Sequence, residues 1–383
     1  MTRIAGDCSA RFAPVEDAFR ANFEDQGEVG AALSIYLRGE KVVDLWGGVA
    51  DRESGRPWSE DTLALVFSAT KGVTAACIHL LVERGVLDLD APIARYWPEF
   101  AVADKDRVLL RHVLSHRAGL PVVEAELSRA EVLAWEPVVK AIAAQTPRWE
   151  PGSRHGYHVR TFGWILGEVV RRVTGVTLGQ FFAREIARPL ALELYIGLPG
   201  ALEPRVASLI MPAPPTDPAQ LELIERFMGP GSLMERGFNH PGDLAYGPAW
   251  NSREIHAAEI PSSNGITTAR ALARFYSALI GEVDGTRVLR PETVAVASSE
   301  QSNGPDALLL LPTRFALGFM LPPALNPECG PGGFGHPGAG GSLAFADPET
   351  GVSFAYVMNQ LKFALGADER PVRLVRALYR SLV

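Results

Sequence analysis

Two strand-like stretches stand near opposite ends of this chain, and together they restrict the fold more than any other feature. "GAALSIYLRGEKVVDLWGGVA" holds two β-rich runs around "RGEK", where Gly39 accepts the positive φ that a tight turn needs. Far downstream, "GSLAFAD" and "GVSFAYVMNQ" are joined by "DPETG", whose Pro348 and Gly351 mark a second hairpin. Hairpins at both ends predict one antiparallel sheet assembled from the two halves of the chain.

Helical patterns surround and separate these hairpins. A short amphipathic helix is expected over residues 15–23. The last segment, "RPVRLVRALYRSLV", places Leu374, Val375, Leu378 and Leu382 on one face and arginines on the other. In "VRTFGWILGEVVRRVTG", Phe162, Ile165, Leu166, Val169, Val170 and Val173 follow a helical repeat that Gly175 ends. "RHVLSHRAGL" and "VVKAIAAQ" read as further helical pieces. Residues 199–261 shift to Pro, Gly and Met and read as long irregular connections, the kind that form lids or pocket walls. The expected fold class is α+β: an antiparallel sheet flanked by helices (residues 1–95 with 255–383) and a mainly helical domain (residues 96–254) with Pro/Gly-rich pocket loops.

At 383 residues and 47% hydrophobic, the chain can fill a sizeable core. A formal net charge of -7 with no basic run argues against nucleic acid, because phosphate contacts need clustered Lys and Arg. Cys8, Cys77 and Cys329 are far apart and form no C-x-x-C pair, so free thiols are expected. No signal-peptide-like apolar region and no long apolar run occur, so the expectation is a cytoplasmic protein without a membrane span. A homo-oligomer stays open.

The chemistry enters with "LVFSATKGVTAACIHLLVERG". Ser68 and Lys71 stand at i and i+3 where a strand-like run becomes helical, so both project from one side of the first turn. A serine hydroxyl needs a base to attack at neutral pH, and burial can bring a lysine amine into range. A helix N-terminus would also offer N–H groups to a developing oxyanion. The plain alternative is a helix-capping serine beside a solvated lysine, and the short S-x-x-K pattern alone does not choose between them. "PGSRHGYHVRTF" adds Tyr157, whose phenol, if held near the lysine, can take up and return a proton.

"GGFGHPGAGGSLAFAD" contains overlapping G-x-G-x-x-G matches. A dinucleotide fingerprint would need a helix next, and a hairpin follows instead. The glycines read better as an entry to an edge strand whose N–H groups approach a substrate. There is no G-x-S-x-G, no H-E-x-x-H and no Walker sequence. His155 and His158 flank Tyr157 within reach of a substrate. His112 and His116 have i, i+4 metal spacing but no evident third ligand, which favours a structural role. No cofactor is implied.

In order and spacing, "LVFSATKGVTA", "DLDAPIARYWPEF", "LRHVLSHRAGLP", "WEPGSRHGYH", "SNGITTARALARFYSALI" and "GFGHPGAGGSLAFADPETGVSFAYVMNQ" resemble the serine β-lactamase and penicillin-binding-protein superfamily. Within it the chain is most similar to the family VIII carboxylesterases, which resemble class C β-lactamases. The resemblance implies a β-lactamase/transpeptidase-like fold, Ser68 as acylated nucleophile, Lys71 as its base or electrostatic partner, and Tyr157 as proton shuttle. The Lys-Thr-Gly motif of lactamases falls on His336, Pro337 and Gly338, and Ala339 would supply one oxyanion-hole N–H, with Ser68 supplying the other.

Two departures stand out. The asparagine of the lactamase Y-x-N motif is Val159 here, and the third motif's lysine is His336. Both remove polar contacts that an anionic amide would use, which points to small neutral esters as substrates. The alternatives are a β-lactamase, D-amino peptidase, amidase or acyltransferase of the same superfamily, and, from another class, a penicillin-recognising binding protein without turnover.

Overall fold

The computed structural model describes residues 2–362 and 368–383. Its main sheet is antiparallel, with strands ordered Ile4–Cys8, Glu40–Asp51, Gly30–Leu37, Val352–Met358, Leu343–Asp347 and Phe334–Pro337; a short strand, Arg56–Pro57, pairs off Glu40–Asp51. The two expected hairpins are adjacent, and the chain halves join where Ala355 lies opposite Ser34 and Phe354 opposite Ile35. Gly39 and Gly351 turn the hairpins at φ 87° and 75°, left-handed values that a glycine accepts without a Cβ clash.

Side chains alternate across a strand, so the sheet has two faces to cover. Ser353 points to one side and donates its hydroxyl to the Ala273 carbonyl in the helix Ala269–Ile280. Tyr356, on the same strand but of opposite parity, points to the other side. There it meets Glu28, which pairs at 3.1 Å with Arg370 of the C-terminal helix Glu369–Leu382. That helix packs against the N-terminal helix Ala13–Asp25.

The helical part centres on Thr70–Glu83 and Thr161–Thr174, which pack together. The second is buried from Thr161 to Val170 and ends at Gly175, φ 76°, as its periodicity predicts. Residues 199–261 are more regular than expected: Pro218–Met228, Leu233–Asn239 and Arg253–Ala257 are helices. Asp217 caps the first of them with Pro218 at its first position, a start signal that the Pro-rich composition masked. The strand Ile4–Cys8 was also not expected; it pairs on one side only, and Gly6 breaks its alternation. All three thiols are free; Cys77 and Cys329 are buried and Cys8 is partly exposed. Among the described residues no helix is long and apolar enough to cross a membrane.

Candidate active site

Ser68 follows the short strand Ala64–Leu65 and precedes the helix Thr70–Glu83. Phe67 just before it takes φ 44°, a conformation that costs a non-glycine residue about 1–3 kcal/mol. Its ring is held edge-on against Tyr246 and Trp250, with centroids 4.8 and 5.1 Å away. Successive turn hydrogen bonds, from Ala69, Thr70 and Lys71 N–H to the carbonyls of Val66, Phe67 and Ser68, lead into the helix. Lys71 therefore sits one turn beyond Ser68 on the same side.

Lys71 is fully buried, and among the described residues it has no carboxylate partner. Its Nζ lies 2.7 Å from the Val159 carbonyl, 3.0 Å from the Ser262 carbonyl and 3.2 Å from Ser68 Oγ. Burial, and after it the charge of Arg160, holds the amine pKa well below its ordinary 10.5.

Tyr157 is anchored by its backbone N–H, which donates to Asp306 Oδ1 at 3.0 Å, and by stacking on Phe315 at 5.9 Å. Its ring face lies 4.8 Å from Lys71 Nζ, and its hydroxyl is 3.4 Å from His336 Nε2. Burial raises the phenol pKa well above 10, while a hydrogen bond with Ser68 pulls the other way. The pocket thus favours the neutral phenol over the phenolate.

His336 lies on the edge strand Phe334–Pro337 and is 1% exposed, facing Tyr157. Its Nδ1–H donates to the Pro337 carbonyl at 2.7 Å, leaving the Nε2 lone pair toward the phenol. Burial brings the imidazole pKa down to about 3, so this histidine carries no charge near neutrality. It does not replace the cation of a third-motif lysine.

The turn after that strand reaches back to the segment just before Ser68. Gly338 N–H donates to the Ser342 carbonyl at 2.7 Å, and Ser342 Oγ donates to the Val66 carbonyl at 3.0 Å. A Cβ on Gly338 would come within 2.1 Å of Val66 O and Ser342 Oγ, so only glycine allows this approach. Among the described residues, neither the Ser68 nor the Ala339 backbone N–H donates to a protein acceptor.

The remaining candidate histidines are tied into the fold. His155 Nε2 is 3.0 Å from Thr313 Oγ1. His158 donates from Nδ1 to Gly156 O and accepts the Leu120 N–H at Nε2. His112 Nδ1 accepts the Leu109 N–H; His116, packed against Tyr157 and Phe315, accepts the His158 N–H. Sequence reasoning missed three participants: the carbonyls of Val159 and Ser262, and Arg160. A carbonyl leaves no trace in residue type, and an arginine in an arginine-rich chain draws no notice.

A strand-to-helix serine, a buried lysine one turn on and a tyrosine across from them, on this sheet, define a class, and the Beta-lactamase family model matches residues 15–378. The chain belongs to the β-lactamase family, as an enzyme of the esterase/β-lactamase fold. It is 40% identical over 369 residues to the esterase/β-lactamase LipL of Mycobacterium tuberculosis, covering 94% of this chain and 83% of that protein. Among solved structures it is similar to a family VIII carboxylesterase (38% identity, TM-score 0.90, 99% of this chain and 100% of the other). A penicillin-binding protein homologue from Caulobacter crescentus is similar too (40% identity, TM-score 0.88, 99% and 100%).

Proposed function

We propose that this protein is a carboxylesterase that cleaves small neutral esters through an acyl-enzyme on Ser68, with Lys71 as base and Tyr157 as acid. The observation that carries this reading is the donor arithmetic at Lys71. A neutral amine has two N–H bonds and one lone pair. The Val159 and Ser262 carbonyls take the two N–H bonds, and Ser68 Oγ occupies the third direction, where the lone pair can receive the hydroxyl proton.

As that proton moves to Lys71 Nζ, Ser68 Oγ bonds the ester carbon and the carbonyl oxygen becomes an oxyanion. The unused N–H groups of Ser68 and Ala339 suit that charge. The C–OR bond then breaks, the alkoxide takes a proton from the Tyr157 hydroxyl, and the proton on Lys71 restores the phenol. Water repeats the sequence on the acyl-enzyme and releases the acid. His336 Nε2 orients the phenol. The resemblance alone allowed a phenolate as base; the directions in which burial moves the two pKa values favour amine and phenol both neutral at rest.

Preference for neutral esters over β-lactams draws support from the absence of a cation at His336 and from Val159, buried where lactamases have asparagine. LipL is described as an esterase/β-lactamase, so slow lactam turnover is compatible. The test compares p-nitrophenyl butyrate and nitrocefin with wild type and Ser68→Ala. The expected result is ester cleavage well above lactam cleavage, both lost in the variant. Equal rates would overturn the preference, and an active Ser68→Ala would overturn the site.

A further inference from the structure

Arg160 is 2% exposed, and among the described residues it has no ion-pair partner. Buried guanidinium groups normally meet a carboxylate, because charge is costly to desolvate. This one is held by neutral carbonyls alone: Nη1 donates to Gly237 O at 2.9 Å and His240 O at 3.4 Å, Nη2 to Phe238 O at 2.6 Å and Leu244 O at 2.5 Å. The group also lies 5.8 Å from the Trp250 ring centre. Burial brings its pKa down to about 10, so it stays cationic at neutral pH.

Two links tie this cation to the reacting groups. Through its own backbone, the Arg160 carbonyl accepts the Ser262 hydroxyl at 3.1 Å, while the carbonyls of Val159 and Ser262 both hold Lys71. Through its side chain, it fixes the turn that precedes Tyr246, whose ring braces Phe67 beside the nucleophile. Displacing Arg160 would shift the cradle of the amine and the brace of the serine together.

We propose that Arg160 is a positioning residue of the ester-cleaving centre: an unneutralised buried cation that clamps the 237–244 turn to the Tyr157–Arg160 segment and opposes a second positive charge on Lys71. The inference rests on the reading of Lys71 as the base. The other groups around the amine do not supply such a charge. His116, His158 and His336, from three different segments, are all held neutral by burial, the last two with pKa values brought down to about 3. Tyr157 and Phe162 present ring faces, Tyr246 is a neutral phenol with its pKa raised to about 12, and Asp306 is engaged by the N–H groups of Tyr157, Leu308 and Leu309.

The test uses wild type, Arg160→Met and Arg160→Lys, with folding checked by circular dichroism and melting temperature. kcat and KM for p-nitrophenyl butyrate are measured across pH. The rate of Ser68 labelling by a small fluorophosphonate is followed at the same pH values, so an ester that does not fit defeats the substrate reading and still leaves the profile readable. Removing a nearby cation makes Lys71 easier to protonate, so the acid limb of Arg160→Met moves up by about one pH unit. Arg160→Lys keeps the charge and the wild-type limb, while kcat falls several-fold because one ammonium cannot span four carbonyls and the Lys71 cradle and Phe67 brace both loosen. A folded Arg160→Met with an unmoved limb overturns the proposal. So does an Arg160→Lys whose limb moves by about a unit or whose kcat is unchanged, and that variant decides alone if the methionine form fails to fold.

Discussion

Lys71 meets Tyr157 by the face of its ring: Nζ is 4.8 Å from the ring centre, and the phenol hydroxyl is turned toward His336 Nε2. The amine therefore relies on its carbonyl contacts and on burial, not on a phenolate counter-charge. Replacing Lys71 by arginine should leave a permanent cation that cannot accept the Ser68 proton, with a loss of about 10²–10⁴-fold in kcat. Lys71→Met, which fits the buried site with less crowding, should lose as much. Near wild-type turnover in either would remove Lys71 from the role of base.

His336 gives a contrasting expectation. It is neutral and acts on the phenol through one long hydrogen bond, so His336→Phe should cost up to about ten-fold in kcat, the worth of one such contact. The position of the acid limb should not move, because no histidine titrates there. A limb that disappears with His336 would assign the base to the imidazole instead.

Acid stability should reflect the buried histidines. Burial lowers the pKa of His79 to about 4 and those of His158 and His336 to about 3, against an ordinary 6.5. Unfolding lets each bind a proton sooner than the native state does. Their contribution is thus fully present above about pH 6.5 and is lost as pH falls toward the folded values, about 2 kcal/mol per histidine by pH 5. Urea midpoints for wild type and His79→Gln at pH 7.5 and 5 should show a smaller acid-induced drop in the variant. Equal drops would contradict the burial argument.

On the other side of the sheet, Arg370 and Glu28 pair with no exposed side-chain surface, and Arg370 Nη2 also donates to Gly340 O, beside Ala339, at 2.7 Å. Arg370→Met strands the Glu28 carboxylate and should cost about 3–5 kcal/mol. Adding Glu28→Gln should recover part of that loss, since it removes the orphaned charge. Denaturant titration of the three variants measures the coupling, and strict additivity would mean the pair contributes nothing as a pair.

The legible parts of this fold were those written in periodicity and turn chemistry: the hairpins at Gly39 and Gly351 and the helix Thr161–Thr174 closed by Gly175. The edge strand Ile4–Cys8 was not, because pairing on one side imposes little pattern on "IAGDC". At the site, Ser68, Lys71 and Tyr157 could be named because three weak motifs stand together in the order of the superfamily they resemble. What surrounds them could not. The lysine is cradled by main-chain carbonyls, which every residue carries, and the Arg160 clamp is recognisable only once the 237–244 turn is seen across from it.

The join between Gly30–Leu37 and Val352–Met358 also ties the proposed centre to both ends of the chain. Ser68, Lys71 and Tyr157 all precede in the chain the edge strand that carries the turn to Ala339, and before Leu343–Asp347 and Val352–Met358 follow it that strand has only the bridge from Gly335 to Met320 to hold it. Long-range pairings of this kind form late. The proposed centre is thus complete only when the two ends of the chain meet: until then Ser68 and Lys71 stand without the Ala339 N–H.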